Sequence, residues 1–189
     1  NTHVAAIALK GQVAAPRYVQ GETQQVIVPV ADLCATPNGA RDRQLLLGEW
    51  VHVFDTRGGW SFIQADKDGY VGYLMASQLG VGQTTSHWVS AAATHLYPRP
   101  DFKVKQTARL SLGTAVAVTT TVDRFSKTPF GWIPTVHLSA ASSRPDDPVA
   151  VAERLLGTPY LWGGNSRDGI DCSGLVQLAC WICGFDCPA

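Results

Sequence analysis

The chain has 189 residues, and fifteen Lys and Arg side chains balance fifteen Asp and Glu side chains, so its formal net charge at pH 7 is zero. This balance gives no electrostatic reason to bind nucleic acid or an anionic membrane surface. With 46% hydrophobic and 16% charged residues, the composition is that of folded domains and excludes disorder over most of the length.

Residues 1–23 show weak periodicity and predict an N-terminal arm. From residue 24 to residue 82, short runs rich in Val, Ile, Trp, Phe and Tyr alternate with turns that contain Gly, Asn and Asp. This texture is typical of a small antiparallel barrel or sandwich. The Leu-Gly-Glu turn that ends at Glu49 and the Gly-Tyr-Val-Gly run at 69–72 resemble bacterial SH3-like domains, which implies a first SH3-like domain over 24–82.

The same pattern occurs a second time in residues 83–140. The segments VSAAATHLYPRPD, RLSLGTAVAVTTTVD and FGWIPTVHLSA align in order with VPVADLCATPNGARD, QLLLGEWVHVFDTRG and GYVGYLMASQLG. A duplication with a period of about sixty residues is the simplest explanation. We therefore expect a second SH3-like domain after the first.

Small and polar residues at 141–147 interrupt the β pattern and predict a linker. Asp147 is a good helix cap, Pro148 suits the first helical position, and apolar residues recur at helical spacing until Gly157. A third domain, 148–189, therefore begins with a helix. The predicted fold class is α+β, with two small SH3-like β-barrels followed by a helical segment.

A second helix is predicted to begin at Cys172, because Asp171 is a good cap and Leu175 and Leu178 follow at helical spacing. At a helix start, free N–H groups and the positive end of the helix dipole favour a thiolate over a thiol. A buried structural thiol is the alternative, but Asp and Ser neighbours at a helix tip argue against burial. Cys172 is therefore a candidate nucleophile.

The run PYLWGG followed by DGIDCSGLVQ resembles the NlpC-type papain-like cysteine peptidases of bacteria, which cleave cell-wall peptides. The resemblance covers residues 148–189, so this segment is expected to be the helical N-terminal part of such a domain. The preceding pair of SH3-like domains resembles the γ-D-glutamyl-L-diamino acid endopeptidase subgroup. The resemblance implies a cysteine endopeptidase that hydrolyses γ-D-glutamyl–diamino acid bonds in murein peptides during their recycling.

The resemblance also implies roles for single residues. Cys172 matches the nucleophile, which forms a thioester with the γ-D-glutamyl carbonyl carbon, and Tyr160 matches a tyrosine that helps to hold the oxyanion. Asp171 and Ser173 match residues that bind polar groups of the substrate, although Asp171 could be a cap alone. Trp162 matches an aromatic wall of the groove, and ordinary packing would explain this tryptophan equally well.

In the related recycling enzymes, the first SH3-like domain binds the free amine of an N-terminal L-Ala through an acidic residue and a tyrosine. Glu49 and Tyr70 occupy similar motif positions in this sequence. A carboxylate and a phenol are suitable partners for an ammonium group. Without the resemblance, both residues would be read as surface turn residues.

The general base expected from the family is missing. In the family a histidine follows the nucleophile by several dozen residues, whereas seventeen residues follow Cys172 here and none is His. We therefore expect that the sequence is incomplete at its C-terminal end, or that a separate processed chain completes the domain. Without that part, the apolar face of the second helix (Leu175, Leu178, Ala179, Ile182) would be exposed unless something covers it.

Cys180, Cys183 and Cys187 could bind zinc or an iron–sulfur cluster. A fourth ligand is missing nearby and Gly184 is expected to end the helix, so small packed thiols are favoured and no metal or cofactor is expected. The odd number of cysteines suits a reducing compartment. Together with the lack of a signal-like start, it predicts a cytoplasmic location, and a removed leader would instead allow a periplasmic or secreted protein.

Two other functions stay open. The tandem SH3-like domains could bind peptidoglycan without catalysis, or the C-terminal cysteines could form a metal- or redox-sensing module. The expected partners are murein peptides of the type L-Ala-γ-D-Glu-diamino acid, with no nucleic acid and no membrane.

Overall fold

A computed structural model describes residues 3–188, so the first two residues of the predicted arm and the last residue of the predicted third domain lie outside it. The described part is mostly β-sheet with two short helices, which is compatible with the predicted α+β class. None of its helices has the length and hydropathy needed to cross a membrane.

The N-terminal arm contains a short parallel pair, β1 (Ala5–Ala6) and β2 (Tyr18–Val19). A seven-stranded antiparallel sheet follows, and its first strand begins at Glu22, two residues before the predicted start of the first domain. The strands are β3 (Glu22–Val26), β4 (Val30–Cys34), β5 (Arg41–Leu46), β6 (Trp50–Arg57), β7 (Trp60–Ala65), β8 (Val71–Met75) and β9 (Leu79–Gly80). Their order in the sheet is β5-β4-β8-β7-β6-β3-β9.

Alternating apolar residues of these strands form one core, because successive side chains of a strand point to opposite faces. Ala31 and Leu33 of β4 are buried while Asp32 between them is exposed. The core consists of Val26, Ala31, Leu33, Leu45, Val51, Val53, Ile63, Ala65, Leu74 and Leu79.

The second unit repeats the strand pairing of the first. Its strands are β10 (His87–Val89), β11 (Ala93–Leu96), β12 (Ala108–Ser111), β13 (Ala115–Val116), β14 (Thr120–Val122), β15 (Phe125–Thr128), β16 (Gly131–Pro134) and β17 (Leu138–Ala140). β10 lies between β13 and β17 as β3 lies between β6 and β9, and the hairpin β11-β12 corresponds to β4-β5. A 3₁₀ turn precedes the last strand in both units, at Ala76–Gln78 and Thr135–His137. This correspondence supports the predicted duplication, while closure of each unit into a barrel stays a prediction.

The third segment contains α1 (Pro148–Glu153), the hairpin β18 (Asn165–Ser166) and β19 (Gly169–Ile170), and α2 (Cys172–Ile182). The carboxylate of Asp147 accepts hydrogen bonds from two N–H groups of the first turn of α1, with Pro148 at the first position, as predicted. Helix α1 ends at Glu153, earlier than expected, and turns continue to Gly157.

The apolar face of α2 is covered by other parts of the chain, so this face is not exposed. Leu178, Ala179 and Ile182 are buried, and Leu175 is partly buried against the same cluster. The covering side chains come from α1, from the turn after it, from β19 and from the end of β12: Val151, Leu155, Ile170 and Leu112. The second unit therefore supplies part of the surface on which α2 rests.

Candidate active site

The thiol of Cys172 is exposed at the first position of α2, as predicted. Asp171 caps the helix by accepting a hydrogen bond of 2.7 Å from the Gly174 N–H and one of 2.9 Å from the Ser173 hydroxyl. Its other carboxylate oxygen accepts from the Gly163 N–H at 2.9 Å. Although burial raises the pKa of Asp171, these hydrogen bonds lower it below its ordinary value overall. The helix start and the loop at residue 163 are thus tied to one carboxylate.

The Cys172 thiol lies at a cavity of about 200 Å³, called here the thiol cavity. Six of the seven residues predicted for the site line it: Tyr70, Tyr160, Trp162, Asp171, Cys172 and Ser173. The remaining lining residues are Asp42, Arg43, Gly163, Gly164, Asn165, Gly174 and Gln177. Residues more than one hundred positions apart therefore share one site.

The loop between α1 and β18 places two aromatic rings beside the thiol. Tyr160 pairs with Ile170 by an isolated parallel bridge, which fixes the loop against the strand before α2. Trp162 is 69% exposed and Tyr160 is 66% exposed. Core packing therefore does not account for Trp162. Both rings are available to a bound molecule.

Strand β5 and the turn before β8 supply the opposite wall. The Asp42 carboxylate lies close enough to the Tyr70 hydroxyl to affect its pKa, and both residues line the thiol cavity. Burial raises the pKa of the Tyr70 phenol above its ordinary value and Asp42 raises it further, while the guanidinium of Arg43 opposes the rise. That guanidinium lies 5.3 Å from the centre of the Tyr70 ring. Asp42 and Arg43 were missed by the sequence reasoning, and the signal available was a charged Arg-Asp-Arg run directly before an apolar strand.

The structure does not bring Glu49 to the thiol cavity. Its carboxylate lies 3.3 Å from the Nζ atom of Lys67 and lines a different cavity, of about 720 Å³, together with Trp50 and Trp181. Burial lowers the pKa of Lys67 to about 8, and Glu49 opposes that shift. A buried carboxylate requires a counter-ion, and the nearby lysine fills that need. The carboxylate beside Tyr70 is Asp42.

No histidine is among the lining residues of the thiol cavity in the part of the chain that the structure describes. His52 faces Asp66, His87 bonds to Ser86, and the ring of His137 bonds to Thr94. Within residues 3–188, no cluster of Cys, His, Asp or Glu side chains is arranged to hold a metal ion.

Comparison with known protein families identifies two segments. Residues 33–79 match the bacterial dipeptidyl-peptidase Sh3 domain, and residues 157–188 match the NlpC/P60 family. The chain therefore has one segment similar to a bacterial Sh3 domain and a later segment similar to the NlpC/P60 family. This agrees with the resemblance noted in the sequence.

Two curated relatives are similar to this chain in sequence, and their names state an activity. The γ-D-glutamyl-L-lysine dipeptidyl-peptidase of Bacillus subtilis (strain 168) is 29% identical over 161 residues, which cover 77% of this chain and 54% of the relative. The enzyme of the same name from Bacillus cereus is 28% identical over 162 residues, which cover 72% of this chain and 48% of the relative. The chain thus spans about half the length of the curated relatives that it matches.

A solved structure of an NlpC/P60 family protein from Bacillus cereus ATCC 10987 is similar in fold. It has a TM-score of 0.77 and 21% sequence identity, with 88% of this chain and 74% of that chain covered. The thiol cavity lies between the two matched segments, because Asp42, Arg43 and Tyr70 lie in the segment similar to the Sh3 domain and Cys172 lies in the segment similar to the NlpC/P60 family.

Proposed function

We propose that this chain contains the nucleophile and the amine-binding wall of a cysteine endopeptidase. Its substrates would be murein peptides with a free N-terminal L-Ala, and the bond hydrolysed would join γ-D-Glu to the diamino acid. The observation that carries this proposal is the exposed Cys172 thiol at a helix start, facing the Asp42–Tyr70 pair across one cavity. The names of the two curated relatives support L-lysine as the diamino acid and release of a dipeptide.

The chemistry begins with attack of the Cys172 sulfur on the γ-carbonyl carbon of D-Glu. The oxyanion of the tetrahedral intermediate can accept hydrogen bonds from the Cys172 N–H and from the hydroxyl of Tyr160. The C–N bond then breaks, the diamino acid leaves as an amine, and water hydrolyses the thioester. Proton transfer to the leaving amine needs a general acid, and residues 3–188 place no histidine in the thiol cavity to supply one.

The Asp42–Tyr70 pair would bind the free amine of the substrate. The carboxylate supplies the charge and the phenol oxygen supplies a lone pair. The two arginines that flank Asp42 in the sequence form ion pairs with other carboxylates, Arg41 with Asp32 and Arg43 with Asp68, so the wall keeps the negative charge of Asp42. This charge favours an ammonium group and disfavours an acetylated terminus.

The test uses the product of the complete gene and the peptide L-Ala-γ-D-Glu-L-Lys in free and N-acetylated forms. We expect release of L-Ala-γ-D-Glu from the free peptide and no release by C172A. In D42N, kcat/KM for the free peptide should fall by about 10- to 100-fold, because one charge-assisted hydrogen bond is lost. The acetylated peptide should be little affected.

E49Q is the matched control, since Glu49 was the motif-based candidate and lies in the other cavity. We expect this variant to keep the preference for the free amine. A loss of preference in E49Q but not in D42N would refute the assignment of the amine site. Binding of the peptide without turnover would support instead a non-catalytic peptidoglycan-binding protein.

A further inference from the structure

A buried ring of polar contacts connects the SH3 domain to helix α2. Arg43 is 8% exposed, and its guanidinium forms an ion pair with Asp68 and a hydrogen bond of 2.5 Å to the Gln177 side-chain oxygen. The Gln177 amide donates to the same Asp68 carboxylate at 3.0 Å. Each of the three side chains thus contacts the other two. Arg43 lies on β5, Asp68 lies in the turn between β7 and β8, and Gln177 lies on the helix that begins at Cys172.

This ring forms part of the lining of the thiol cavity. Arg43 and Gln177 both line the cavity, and the Arg43 guanidinium also lies over the Tyr70 ring. One planar group therefore contacts the wall that carries Tyr70 and the helix that carries the nucleophile. A guanidinium can make these contacts together because its donors project in a fixed fork, whereas a lysine ammonium is a point charge.

Two further residues of β5, Arg41 and Gln44, form hydrogen bonds to the backbone of the loop between α1 and β18 and of β18 itself. The Arg41 guanidinium donates to the Trp162 carbonyl at 2.9 Å. The side-chain oxygen of Gln44 accepts from the Asn165 N–H at 3.1 Å. Strand β5 is therefore attached both to α2 and to the loop that carries the aromatic residues.

We propose that Arg43 is a positioning residue that sets the separation between the amine-binding wall and the Cys172 sulfur. This inference rests on the proposed function, in which the wall binds the substrate amine. A fixed separation admits peptides in which the free amine and the attacked carbonyl belong to two consecutive residues, as in L-Ala-γ-D-Glu. Longer peptides would place their amine beyond Asp42.

The experiment measures covalent labelling of Cys172, which requires no hydrolysis. The probes are L-Ala-D-Glu with a γ-chloromethyl ketone and the same compound lengthened by an N-terminal Gly. Labelling at Cys172 is followed by peptide mass spectrometry, so the other cysteines do not interfere. We expect the wild-type chain to react at least about 10-fold faster with the shorter probe, and R43K to lose most of this preference.

R109K is the matched control. Arg109 of β12 also joins a sheet to the NlpC/P60 segment, through an ion pair of 2.5 Å with Asp168, but it does not line the thiol cavity. Its substitution should leave the ratio of the two labelling rates unchanged. Q177M is the second test variant, because it keeps the Arg43–Asp68 pair and removes the hydrogen bonds of Gln177 to Arg43, to Asp68 and to the Cys187 carbonyl. It should shift the ratio in the same direction as R43K.

The outcomes separate the two proposals. Equal labelling of the wild-type chain by both probes refutes amine selection at this wall, and the role of Arg43 fails with it. A wild-type preference that R43K and Q177M both keep overturns the positioning role alone. A neutral reagent, iodoacetamide, should label Cys172 at the same rate in wild type and R43K, whereas a general loss of structure would change that rate as well.

Discussion

The two helix-capping aspartates allow a matched test of what Asp171 does beyond capping. Asp147 caps α1 through N–H groups at 2.8 and 3.3 Å, and its cap is exposed. Asp171 caps α2 through the Gly174 N–H and also binds the Gly163 N–H, in a partly buried position. Replacing each aspartate by Ala removes a cap in both cases, but only D171A removes a contact between loop and helix.

The expected losses differ by about twofold. An N-cap aspartate contributes about 1 kcal/mol relative to Ala, which is the loss expected for D147A. In D171A the Gly163 N–H also loses its partner in a partly buried place, which adds about 1 kcal/mol. We therefore expect a loss of about 2 kcal/mol for D171A. D171N should lose less than D171A, because Asn is nearly as good a cap as Asp.

Urea unfolding measures these differences in the free energy of unfolding, provided that its slope against urea concentration is the same in all variants. Hydrogen exchange of the Gly163 amide reports the lost contact locally. Exchange there should accelerate in D171A and stay slow in D147A. Equal losses of stability in the two Ala variants would refute the reasoning that Asp171 joins the loop to the helix.

The depressed pKa of Asp171 adds a pH dependence with a definite sign. A carboxyl group whose pKa is lower in the folded state stabilises the fold above its unfolded pKa, and this contribution is lost as the pH falls through the folded value. The difference in stability between wild type and D171N should therefore be constant near neutral pH and shrink in acid, below about pH 4. A difference that grows in acid would contradict the assigned direction.

Three further predictions concern Gly48, the core beneath α2 and the buried Lys67. G48A should cost far more stability than G58A. Both glycines have positive φ, but a Cβ at Gly48 would lie 2.1 Å from a backbone oxygen of the second unit, whereas Gly58 faces open space. Equal losses of stability in urea unfolding would contradict this reasoning. L178A should cost about 2–5 kcal/mol and V176A less than about 0.5 kcal/mol, because Leu178 is 2% exposed and Val176 is on the outer face of the same helix. Burial lowers the pKa of Lys67 from 10.5 to about 8 in the folded chain, so the unfolded chain binds more protons at this lysine between these values. The contribution of Lys67 to stability should therefore rise with pH in this range, by on the order of 3 kcal/mol at about 1.4 kcal/mol per pKa unit. The stability of wild type relative to K67M, measured by urea unfolding at each pH, should show this rise, and a constant difference would contradict it.

Two residues of the site could be predicted from local chemistry alone, whereas Tyr160, Trp162, Ser173 and Tyr70 were predicted only from the family resemblance. Asp171 and Cys172 follow from the rules of helix capping, which involve residues at most three positions apart. The duplication was predictable because two segments repeat the same alternation of strands and turns. The pairing of strands in the structure follows that repeat.

The parts that the sequence did not reveal depend on long-range contacts. Glu49 satisfies the motif, but its carboxylate pairs with Lys67, and no local pattern reports that this lysine is buried beside it. Asp42 reaches the thiol cavity because the close approach of Gly163 to the Asp42 backbone brings the loop against β5, over a separation of 121 residues. The buried link from Arg43 to Gln177 spans 134 positions and has no signature in either segment.

The two copies of the repeat have diverged in what they contribute. The first copy provides Asp42, Arg43 and Tyr70 to the lining of the thiol cavity. The second copy contributes Leu112 to the cluster beneath α2. Within the described residues 3–188, none of its side chains lines the thiol cavity. If the proposed function holds, substitutions at the cavity-lining residues of the first copy should alter selectivity. Substitutions at Leu112 in the second copy should instead weaken the packing beneath the helix that carries the sulfur.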